Sequence, residues 1–183
     1  LELNKANQAL KELANKDSLT GLYNRRHLEK KFGELQALLS RNEATMVLAM
    51  IDLDHFKQLN DTYGHLIGDN CLAHIGQLMK SKFDRRSDIV ARFGGEEFIV
   101  VAQHDKNYGV LQKLEELRKE IAEHHFLSND NESFQITVSI GVAIAKASYS
   151  CRIEPWINIA DQQLYWVKDH GRNNISEADL EIT

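Results

Sequence analysis

A carboxylate stands at the end of an uninterrupted apolar run in the sequence. The run from Thr45 to Ile51 stops at Asp52. Its length and lack of alternation predict a central strand that is buried on both faces. An α/β sheet usually opens its ligand crevice where such a strand ends. The backbone N–H groups of the following helix would suit a phosphate there, and Lys57 adds a positive charge.

The same segment also has an ordinary structural explanation. Asp54 is expected to cap the helix that follows it, and Asp52 and Lys57 would then be solvated. Capping does not explain why the apolar run should end on Asp52. We therefore expect Asp54 to cap the helix and keep a ligand role open for Asp52.

A second cluster of unusual residues reads Gly94-Gly95-Glu96-Glu97-Phe98. The two glycines predict a two-residue hairpin turn between strands at 89–93 and 97–102, and a ligand could lie against their bare backbone. A tight turn does not explain the two glutamates, because acidic residues are depleted in strands. Successive strand side chains point to opposite faces, so Glu96 and Glu97 should have different roles.

These two clusters together suggest a site for a hard cation. If the strand that ends at Asp52 lies beside the hairpin, Asp52 and one glutamate can hold Mg²⁺, which takes one or two carboxylates plus substrate phosphates. Zinc is not indicated: the eight histidines include no HExxH spacing, and Cys71 with His74 would supply only two ligands.

Composition restricts the class of partner. The 22 basic and 27 acidic residues give a net charge of −5, which argues against a nucleic-acid groove. No apolar run approaches the roughly 20 residues that span a bilayer, so we expect no membrane contact by this chain. Cys71 and Cys151 form no CxxC pair, which favours a reducing, cytoplasmic setting. Because the chain does not begin with Met, we expect a piece of a longer protein that leaves room for an upstream sensor or membrane segment.

Periodicity predicts the elements that position these residues. Their expected order is an N-terminal helix followed by β-α-α-β-β-α-β-α, close to the ferredoxin-like βαββαβ plan. One helix is expected at about 55–61 and another from near Asp69. Alternation from Ile136 to Ile144 predicts a strand with one buried face. Leu3, Ala6, Leu10 and Leu13 repeat at heptad spacing, which is typical of a coiled coil or of a frayed helix packed on its own domain.

The two clusters resemble motifs of the GGDEF diguanylate cyclases. Gly94–Phe98 is the GGEEF form of the signature that names this family. Further family-like blocks occur in family order: 17–26 (DSLTGLYNRR), 52–57 (DLDHFK), 60–65 (NDTYGH), 67–69 (IGD) and 168–173 (KDHGRN). The resemblance therefore covers nearly the whole chain and does not depend on one pentapeptide.

The resemblance implies a fold, a reaction and a domain division. The fold would be α/β, an α+β sandwich with a ferredoxin-like core similar to class III nucleotidyl cyclases. The reaction would join two GTP molecules into cyclic di-GMP with release of two pyrophosphates. It would need Mg²⁺, for which Mn²⁺ can substitute, and a homodimer of catalytic domains. The divisions would be a linker or coiled-coil helix at 1–15, the GGDEF domain at 16–176 and a tail at 177–183.

The resemblance also implies roles for single residues. Asp52, the backbone carbonyl of Leu53 and Glu96 would bind the metal. Glu96 would act as, or beside, the base. Lys57 and Glu97 complete the catalytic set, with Glu97 supporting the second metal position or the hairpin. Asn60 and Asp69 would read the guanine edge, and Lys57, Lys168 and Arg172 would hold the β- and γ-phosphates. The substrate-binding set comprises Phe56, Asn60, His65, Asp69, Gly94, Gly95, Lys168 and Arg172.

Asp69 has a physical reason to select guanine. Guanine N1–H and the N2 amine both donate to a carboxylate, whereas adenine offers neither in that arrangement. A buried carboxylate left unpaired would penalise ATP. The alternative is that Asp69 is a plain helix cap.

A third motif, Arg85-Arg86-Ser87-Asp88, lies just upstream of the hairpin. In the family this RxxD pattern is the product-inhibition site, where Arg85 would contact a guanine of cyclic di-GMP and Asp88 would accept from it. Arg118 is the candidate for a further arginine of that site. An exposed ion pair is the ordinary alternative for so common a pattern.

The sequence is compatible with two other functions. The first is a catalytically inactive GGDEF domain that senses GTP or cyclic di-GMP, which the intact Asp52, Lys57, Glu96, Lys168 and Arg172 disfavour. The second is a different class III-like nucleotidyl cyclase, since Asn60 and Asp69 favour guanine without proving it.

Overall fold

The structure, a computed structural model, describes residues 2–4, 10 and 14–181. Two of the four heptad residues, Ala6 and Leu13, lie outside the described residues. Leu3 and Leu10 are exposed. The coiled-coil interpretation therefore stays a prediction.

A five-stranded sheet forms the centre of the described chain. Its strands are β1 (Thr45–Leu53), β2 (Ile89–Gly94), β3 (Glu97–Gln103), β6 (Val138–Lys146) and β7 (Ile175–Asp179), while β4 (Phe126–Leu127) pairs with β5 (Ser133–Phe134) in a separate short ribbon. The order across the sheet is β2-β3-β1-β6-β7. β1 pairs antiparallel with β3 and β6, β2 pairs antiparallel with β3, and β7 runs parallel to β6.

Helices cover both faces of this sheet. They are α1 (Arg25–Arg41), α2 (Phe56–Tyr63), α3 (His65–Lys82), α4 (Val110–Glu123) and α5 (Ile153–Asp169). The apolar sides of α1 and α5 bury one face of β1, and those of α2, α3 and α4 bury the other face. The βαββαβ order and the covered sheet confirm the predicted fold class. Among the described residues, no helix is both long and apolar enough to cross a membrane.

Burial agrees with the prediction for β1 and corrects the one for β6. Every residue of β1 after Thr45 is buried, as expected for a central strand. β6 is also buried on both faces up to Ala145, although alternation predicted one buried face. The reason is that α5 packs directly on it at Gly141, where an added Cβ would lie 2.0 Å from the Ala160 carbonyl oxygen.

The last strand crosses the expected boundary between domain and tail. β7 begins at Ile175 and ends at Asp179, so residues 177–179 pair with β6 inside the sheet. Leu180 then donates its backbone N–H to the carbonyl of Ile144. The first part of the predicted tail is thus joined to the sheet.

Candidate functional site

Asp52 lies near the end of β1, between its neighbours Glu97 on β3 and Ser139 on β6. Its side chain is 7% exposed, and its Oδ2 is 3.1 Å from Nζ of Lys168 on α5. Burial raises the pKa of Asp52 to about 6, opposed by Lys168 and reinforced by the negative charges of Glu96 and Glu97. The structure thus places Glu96 and Glu97 close enough to Asp52 to affect its charge, and it pairs Asp52 with one ammonium, that of Lys168.

The hairpin turn lies one residue later than predicted. Gly94 pairs with Glu97, so the two turn residues are Gly95 and Glu96, not the two glycines. Glu96 therefore lies in the turn and not in the strand. Its carbonyl accepts from the Leu53 backbone N–H at 3.3 Å, which joins the turn to the end of β1.

The Arg92 side chain connects this turn to Asp17 by hydrogen bonds. Its Nε and Nη2 both donate to the Gly95 carbonyl, at 3.1 and 2.8 Å, and its Nη1 donates to Asp17 Oδ1 at 3.1 Å. Asp17 also accepts from the backbone N–H and hydroxyl of Thr20. Burial acts to raise the pKa of Asp17, but the Thr20 hydrogen bonds and the Arg92 charge outweigh it and lower the pKa. The hairpin is therefore tied to the turn that follows the N-terminal segment.

The donors at this edge fit a hard divalent cation. Among the described residues, no group of three or more His, Cys, Asp or Glu side chains could hold a metal by itself. Magnesium needs only one or two carboxylates when substrate phosphates complete its shell. Asp52, Glu96 and the Leu53 carbonyl are oxygen donors of that kind, and the unfavourable burial of ionised Asp52 would be relieved by a cation.

Asp54 does not cap α2, contrary to the expectation. The cap position is His55, in the left-handed conformation at φ 56°, with no side-chain capping bond. Asp54 is buried and turns towards β6. It accepts from the hydroxyls of Thr137 and Ser139, both at 2.6 Å, and from the backbone N–H of Asn173 at 3.1 Å.

Asn60 presents an unsatisfied buried atom beside α3. Among the described residues its Oδ1 is buried and has no hydrogen-bond partner. Gly68 makes room for it, because an added Cβ there would lie 1.9 Å from Asn60 Oδ1 and 3.3 Å from the Phe56 ring. Buried polar atoms are normally paired. An atom in this state suits a ligand that donates hydrogen bonds.

Asp69 is not a helix cap. α3 begins at His65, after Gly64 at the cap position, so Asp69 is the fifth residue of the helix. The earlier start corrects both the predicted boundary and the capping alternative. Asp69 and His65 are exposed, as a residue that meets a ligand from solvent would be.

The cations differ in how they are held. Lys168 is committed to Asp52. Lys57 and Arg172 are exposed, and within the described part of the chain neither side chain makes an ion pair of 4.0 Å or less. Two of the three predicted phosphate ligands are thus free to move.

The RxxD residues form their own cluster with two residues that the sequence did not single out. Arg85 Nη1 donates to Asp105 at 3.0 Å, and its guanidinium lies 3.7 Å from the centre of the Tyr108 ring. Asp88 accepts from the Arg85 backbone N–H and from the Tyr108 hydroxyl. Burial raises the pKa of Asp88, although the Tyr108 hydrogen bond opposes the shift.

Arg118 is engaged elsewhere. Its Nε and Nη2 donate to Glu115 at 2.8 and 2.6 Å, and its Nη1 donates to the backbone carbonyl and side-chain oxygen of Asn173 at 3.1 and 2.7 Å. Within the described chain, none of these partners belongs to the Arg85 cluster. The structure thus brings Arg85 and Asp88 together and connects Arg118 to the loop after α5.

Sequence reasoning missed several residues of this region. Asp17, Arg92, Gly68 and the link from Asp54 to Asn173 were not assigned roles. Arg92 had one usable signal, an arginine two residues before the Gly-Gly pair. The contact between Asp54 and Asn173 joins residues 119 positions apart, and no local pattern indicates it.

These observations define a nucleotide-cyclase-type α/β domain with an acidic cluster at the end of the central strand. The family model described as "Diguanylate cyclase, GGDEF domain" matches residues 14–174. The chain belongs to the GGDEF family.

Named relatives and solved structures agree with that assignment. The diguanylate cyclase DgcP of Pseudomonas aeruginosa is 37% identical over 88% of this chain and 24% of its own length. DosC of Escherichia coli K12 is 35% identical over 87% of this chain and 34% of its own length. The chain thus spans about a quarter to a third of these relatives.

Two solved structures match most of the chain. The coiled coil and GGDEF domain of DgcB from Caulobacter crescentus, in complex with c-di-GMP, has a TM-score of 0.89 at 30% identity, covering 97% of this chain and 92% of that one. The active GGEEF domain of a Vibrio cholerae diguanylate cyclase has a TM-score of 0.75 at 32% identity, covering 84% and 96%.

Proposed function

We propose that this domain is a diguanylate cyclase that joins two GTP molecules into cyclic di-GMP and releases two pyrophosphates. The observation that carries the proposal is the buried Asp52, which faces Glu96 and Glu97 with Lys168 as its only ion-pair partner in the described chain. This edge has excess negative charge that a cation would balance, and the phosphates of a nucleotide would complete the shell of that cation. Family membership and the names of the relatives support the same activity.

Guanine binding would use the region around Asn60. Its partnerless Oδ1 accepts from guanine, and Asp69 accepts from the N1–H and N2 amine. Phe56 and His65 border the same region along α2 and the start of α3. A site built to accept from guanine disfavours adenine, because the acceptors are then left unpaired.

Phosphate binding would use the turn and the three cations. Gly94 and Gly95 let the triphosphate approach the backbone. Lys57 and Arg172 move to the β- and γ-phosphates, and Lys168 transfers from Asp52 to a phosphate oxygen. The ion pair between Lys168 and Asp52 therefore belongs to the ligand-free state.

The residues that would hold the metal are Asp52, the Leu53 carbonyl and Glu96. Mg²⁺, for which Mn²⁺ can substitute, supplies charge neutralisation at the phosphates when bound. Glu96 lies in the turn, where it is positioned to accept the proton of the attacking 3′-hydroxyl. Glu97 supports it from the first position of β3.

In the chemical step, the 3′-oxygen of one GTP forms a bond to the α-phosphorus of the other. The bond from that phosphorus to the pyrophosphate oxygen breaks, and pyrophosphate leaves with its electron pair. Two such transfers give cyclic di-GMP. Because one hairpin holds one GTP, two domains must face each other, so the active form is a homodimer.

Product inhibition through Arg85 and Asp88 is part of the proposal. Cyclic di-GMP bound there would hold two domains in an arrangement in which the GTPs cannot react. The DgcB structure, solved with c-di-GMP, shows that a relative binds this product. We assign no role in this site to Arg118, whose guanidinium is engaged by Glu115 and Asn173.

We further propose where the domain works and how it dimerises. The acidic catalytic unit, which begins at 16 and includes β7 to Asp179, works in the cytoplasm after a signalling helix at 1–15. The homodimer forms by pairing of the N-terminal helices and by contact between catalytic domains. Upstream segments of a longer protein would supply the signal.

The test is direct. Purified protein is incubated with GTP and Mg²⁺, and chromatography should show cyclic di-GMP and pyrophosphate in a ratio of one to two. The rate per molecule should rise with protein concentration, and a strong coiled coil fused ahead of Leu1 should raise it at low concentration. A rate per molecule that stays flat on wide dilution would contradict weak, rate-limiting dimerisation.

The alternative function gives a different outcome. A sensor domain would bind GTP or cyclic di-GMP in equilibrium dialysis and yield no cyclic di-GMP at any protein concentration. The intact set of charged residues at the hairpin edge favours the enzyme.

A further inference from the structure

The loop after α5 has an unusual backbone. Gly171, Arg172 and Asn173 all have positive φ, at 103°, 62° and 47°. Two of the three are not glycine, and side-chain-bearing residues rarely adopt this conformation. Such a segment persists only when its surroundings hold it in place.

Two separate groups hold Asn173. From the side of the sheet, Asp54 accepts its backbone N–H at 3.1 Å. From α4, Arg118 donates Nη1 to its carbonyl and to its Oδ1, at 3.1 and 2.7 Å. The backbone N–H, the backbone carbonyl and the side chain of Asn173 are therefore all held by hydrogen bonds.

Both holding groups are themselves rigidly supported. Asp54 is buried and takes hydrogen bonds from Thr137 and Ser139 of the β6 region. The Arg118 side chain is 13% exposed and is held by both oxygens of Glu115. An arginine that only solubilised the helix would not be mostly covered and bonded at three nitrogens.

Arg172, next to this fixed residue, is exposed. Its backbone N–H donates to the Val167 carbonyl at 2.9 Å, so the loop returns against the end of α5. Fixing Asn173 thus sets the direction in which the Arg172 side chain leaves the backbone.

We propose that Asp54 and Arg118 are positioning residues that clamp Asn173 and thereby aim Arg172 at the phosphates of the bound nucleotide. The proposal rests on the proposed function, in which Arg172 contacts the β- and γ-phosphates. It gives Arg118 a role in substrate binding instead of the inhibitory role that the sequence suggested.

The main test compares Arg118→Ala with Lys119→Ala, a neighbouring exposed residue that also pairs with Glu115. Arg118→Ala should raise the KM for GTP about fivefold to tenfold, as when a charge-assisted contact is misplaced, and change kcat less than about twofold. Binding of a non-hydrolysable GTP analogue should weaken equally, whereas binding of GMP, which lacks the β- and γ-phosphates, should not. Lys119→Ala should match the parent.

Conservative variants separate positioning from general destabilisation. Arg118→Lys keeps the charge but cannot bond Glu115 and Asn173 with a fork, so it should resemble Arg118→Ala. Asn173→Asp keeps the acceptor for Arg118 and should stay close to the parent. Adding Arg118→Ala to Arg172→Ala should cause no further loss of GTP-analogue affinity, because both act through one contact.

Hydrogen exchange tests the clamp without catalysis. The backbone amide of Asn173 should be protected in the parent and exchange faster in Arg118→Ala. If the parent makes no cyclic di-GMP, the proposed function fails. Hydrogen exchange at Asn173 and the affinities for the GTP analogue and GMP still test the clamp in that case. Three results for Arg118→Ala would each overturn the clamp proposal. They are an unchanged exchange rate of the Asn173 amide, an unchanged affinity for the GTP analogue, and an equal loss of affinity for the GTP analogue and for GMP.

Discussion

The hairpin edge contains a buried carboxyl group and the Arg85 cluster a half-buried one, and the two regions balance charge differently. At the hairpin edge, Lys168 pairs with Asp52, while Glu96 and Glu97 add negative charge nearby, and burial raises the pKa of Asp52 to about 6. In the Arg85 cluster, Arg85 pairs with Asp105, and Asp88 accepts from Tyr108. The first region has one ion pair beside three carboxyl groups. In the second, Arg85 and Asp88 Oδ2 have partners, while Asp88 Oδ1 has none among the described residues.

This difference has a consequence for ligand binding. A cation or donor that arrives at the hairpin edge gains contacts and breaks only the ion pair between Lys168 and Asp52. A ligand that takes the Nη1 donor of Arg85 competes with Asp105, which already accepts from that nitrogen. The hairpin edge is therefore suited to binding nucleotide and metal together. The Arg85 cluster is suited to binding by exchange, in which the ligand replaces Asp105 as a partner of Arg85.

The largest effect should follow neutralisation of the hairpin edge. Asp52→Asn and Glu96→Gln should each lower the rate of cyclic di-GMP synthesis by at least roughly 10²–10³-fold, because each removes charge that stabilises the reacting phosphates. The free energy of unfolding should not fall in Asp52→Asn, since the ionised form is already disfavoured by burial. Rates by chromatography and urea unfolding check the two statements.

Asp161→Asn, on the exposed side of α5, is the matched control and should leave both quantities unchanged. Full activity in either hairpin-edge variant would remove the metal assignment of that residue.

A smaller effect is expected where the site makes room for Asn60. Gly68→Ala would place a Cβ 1.9 Å from Asn60 Oδ1, so the amide must move. The KM for GTP should rise roughly 10- to 100-fold, the loss expected for a displaced polar contact, and the preference for GTP over ATP should fall. Steady-state kinetics with both nucleotides measure this.

Gly33→Ala on α1 is the control, because nothing lies within 4 Å of an added Cβ there. It should leave the KM unchanged and stabilise the fold by about 0.5–1 kcal/mol, as expected for alanine in a helix. An unchanged KM in a folded Gly68→Ala variant would show that Asn60 does not contact the base.

The fold was largely predictable because its signals are local. The apolar run before Asp52 and the helical periodicities predict the main elements in their observed order, but the short strands β4 and β5 and the edge strand β7 were not predicted. The hairpin register was not predictable, because Gly94 and Gly95 satisfy a turn rule that the bonds from Arg92 to the Gly95 carbonyl override. Local propensity is weaker than such tertiary contacts.

The site shows the same limit. Asp54 satisfies the rule for a helix cap, yet hydroxyls of the β6 region and the amide of Asn173 outcompete the helix for its oxygens. The sequence does suggest the candidates at the hairpin edge, since a charged residue that ends an apolar run is a local signal. It does not indicate which distant residues fix them.

The third prediction tests the Arg85 cluster. Arg85→Ala should raise the concentration of added cyclic di-GMP that halves the initial rate by about tenfold, because a forked, charge-assisted contact is lost. Asp88→Ala should act in the same direction, and Arg85→Lys should fall between parent and Arg85→Ala. Arg86→Ala is the neighbouring exposed control. If Arg85→Ala is as sensitive as the parent, the motif is only a surface ion pair.

The smallest effect should come from the residue that occupies Arg85 in the ligand-free chain. Asp105→Asn removes the charge that competes for Arg85, while an amide oxygen can still accept from the backbone N–H groups of Asn107 and Tyr108 and keep the turn. Cyclic di-GMP should then inhibit at a concentration about two- to fivefold lower, the range expected for an exposed ion pair. Asp84→Asn is the control, because it also removes one negative charge near Arg85 but breaks no contact with Arg85. A difference between the two variants therefore separates competition for Arg85 from a general electrostatic effect. Both variants are titrated with product at two salt concentrations, and the Asp84→Asn effect should vanish first as salt rises. If Asp105→Asn weakens inhibition, Asp105 orients Arg85 for the product, and binding by exchange is the wrong description of this cluster.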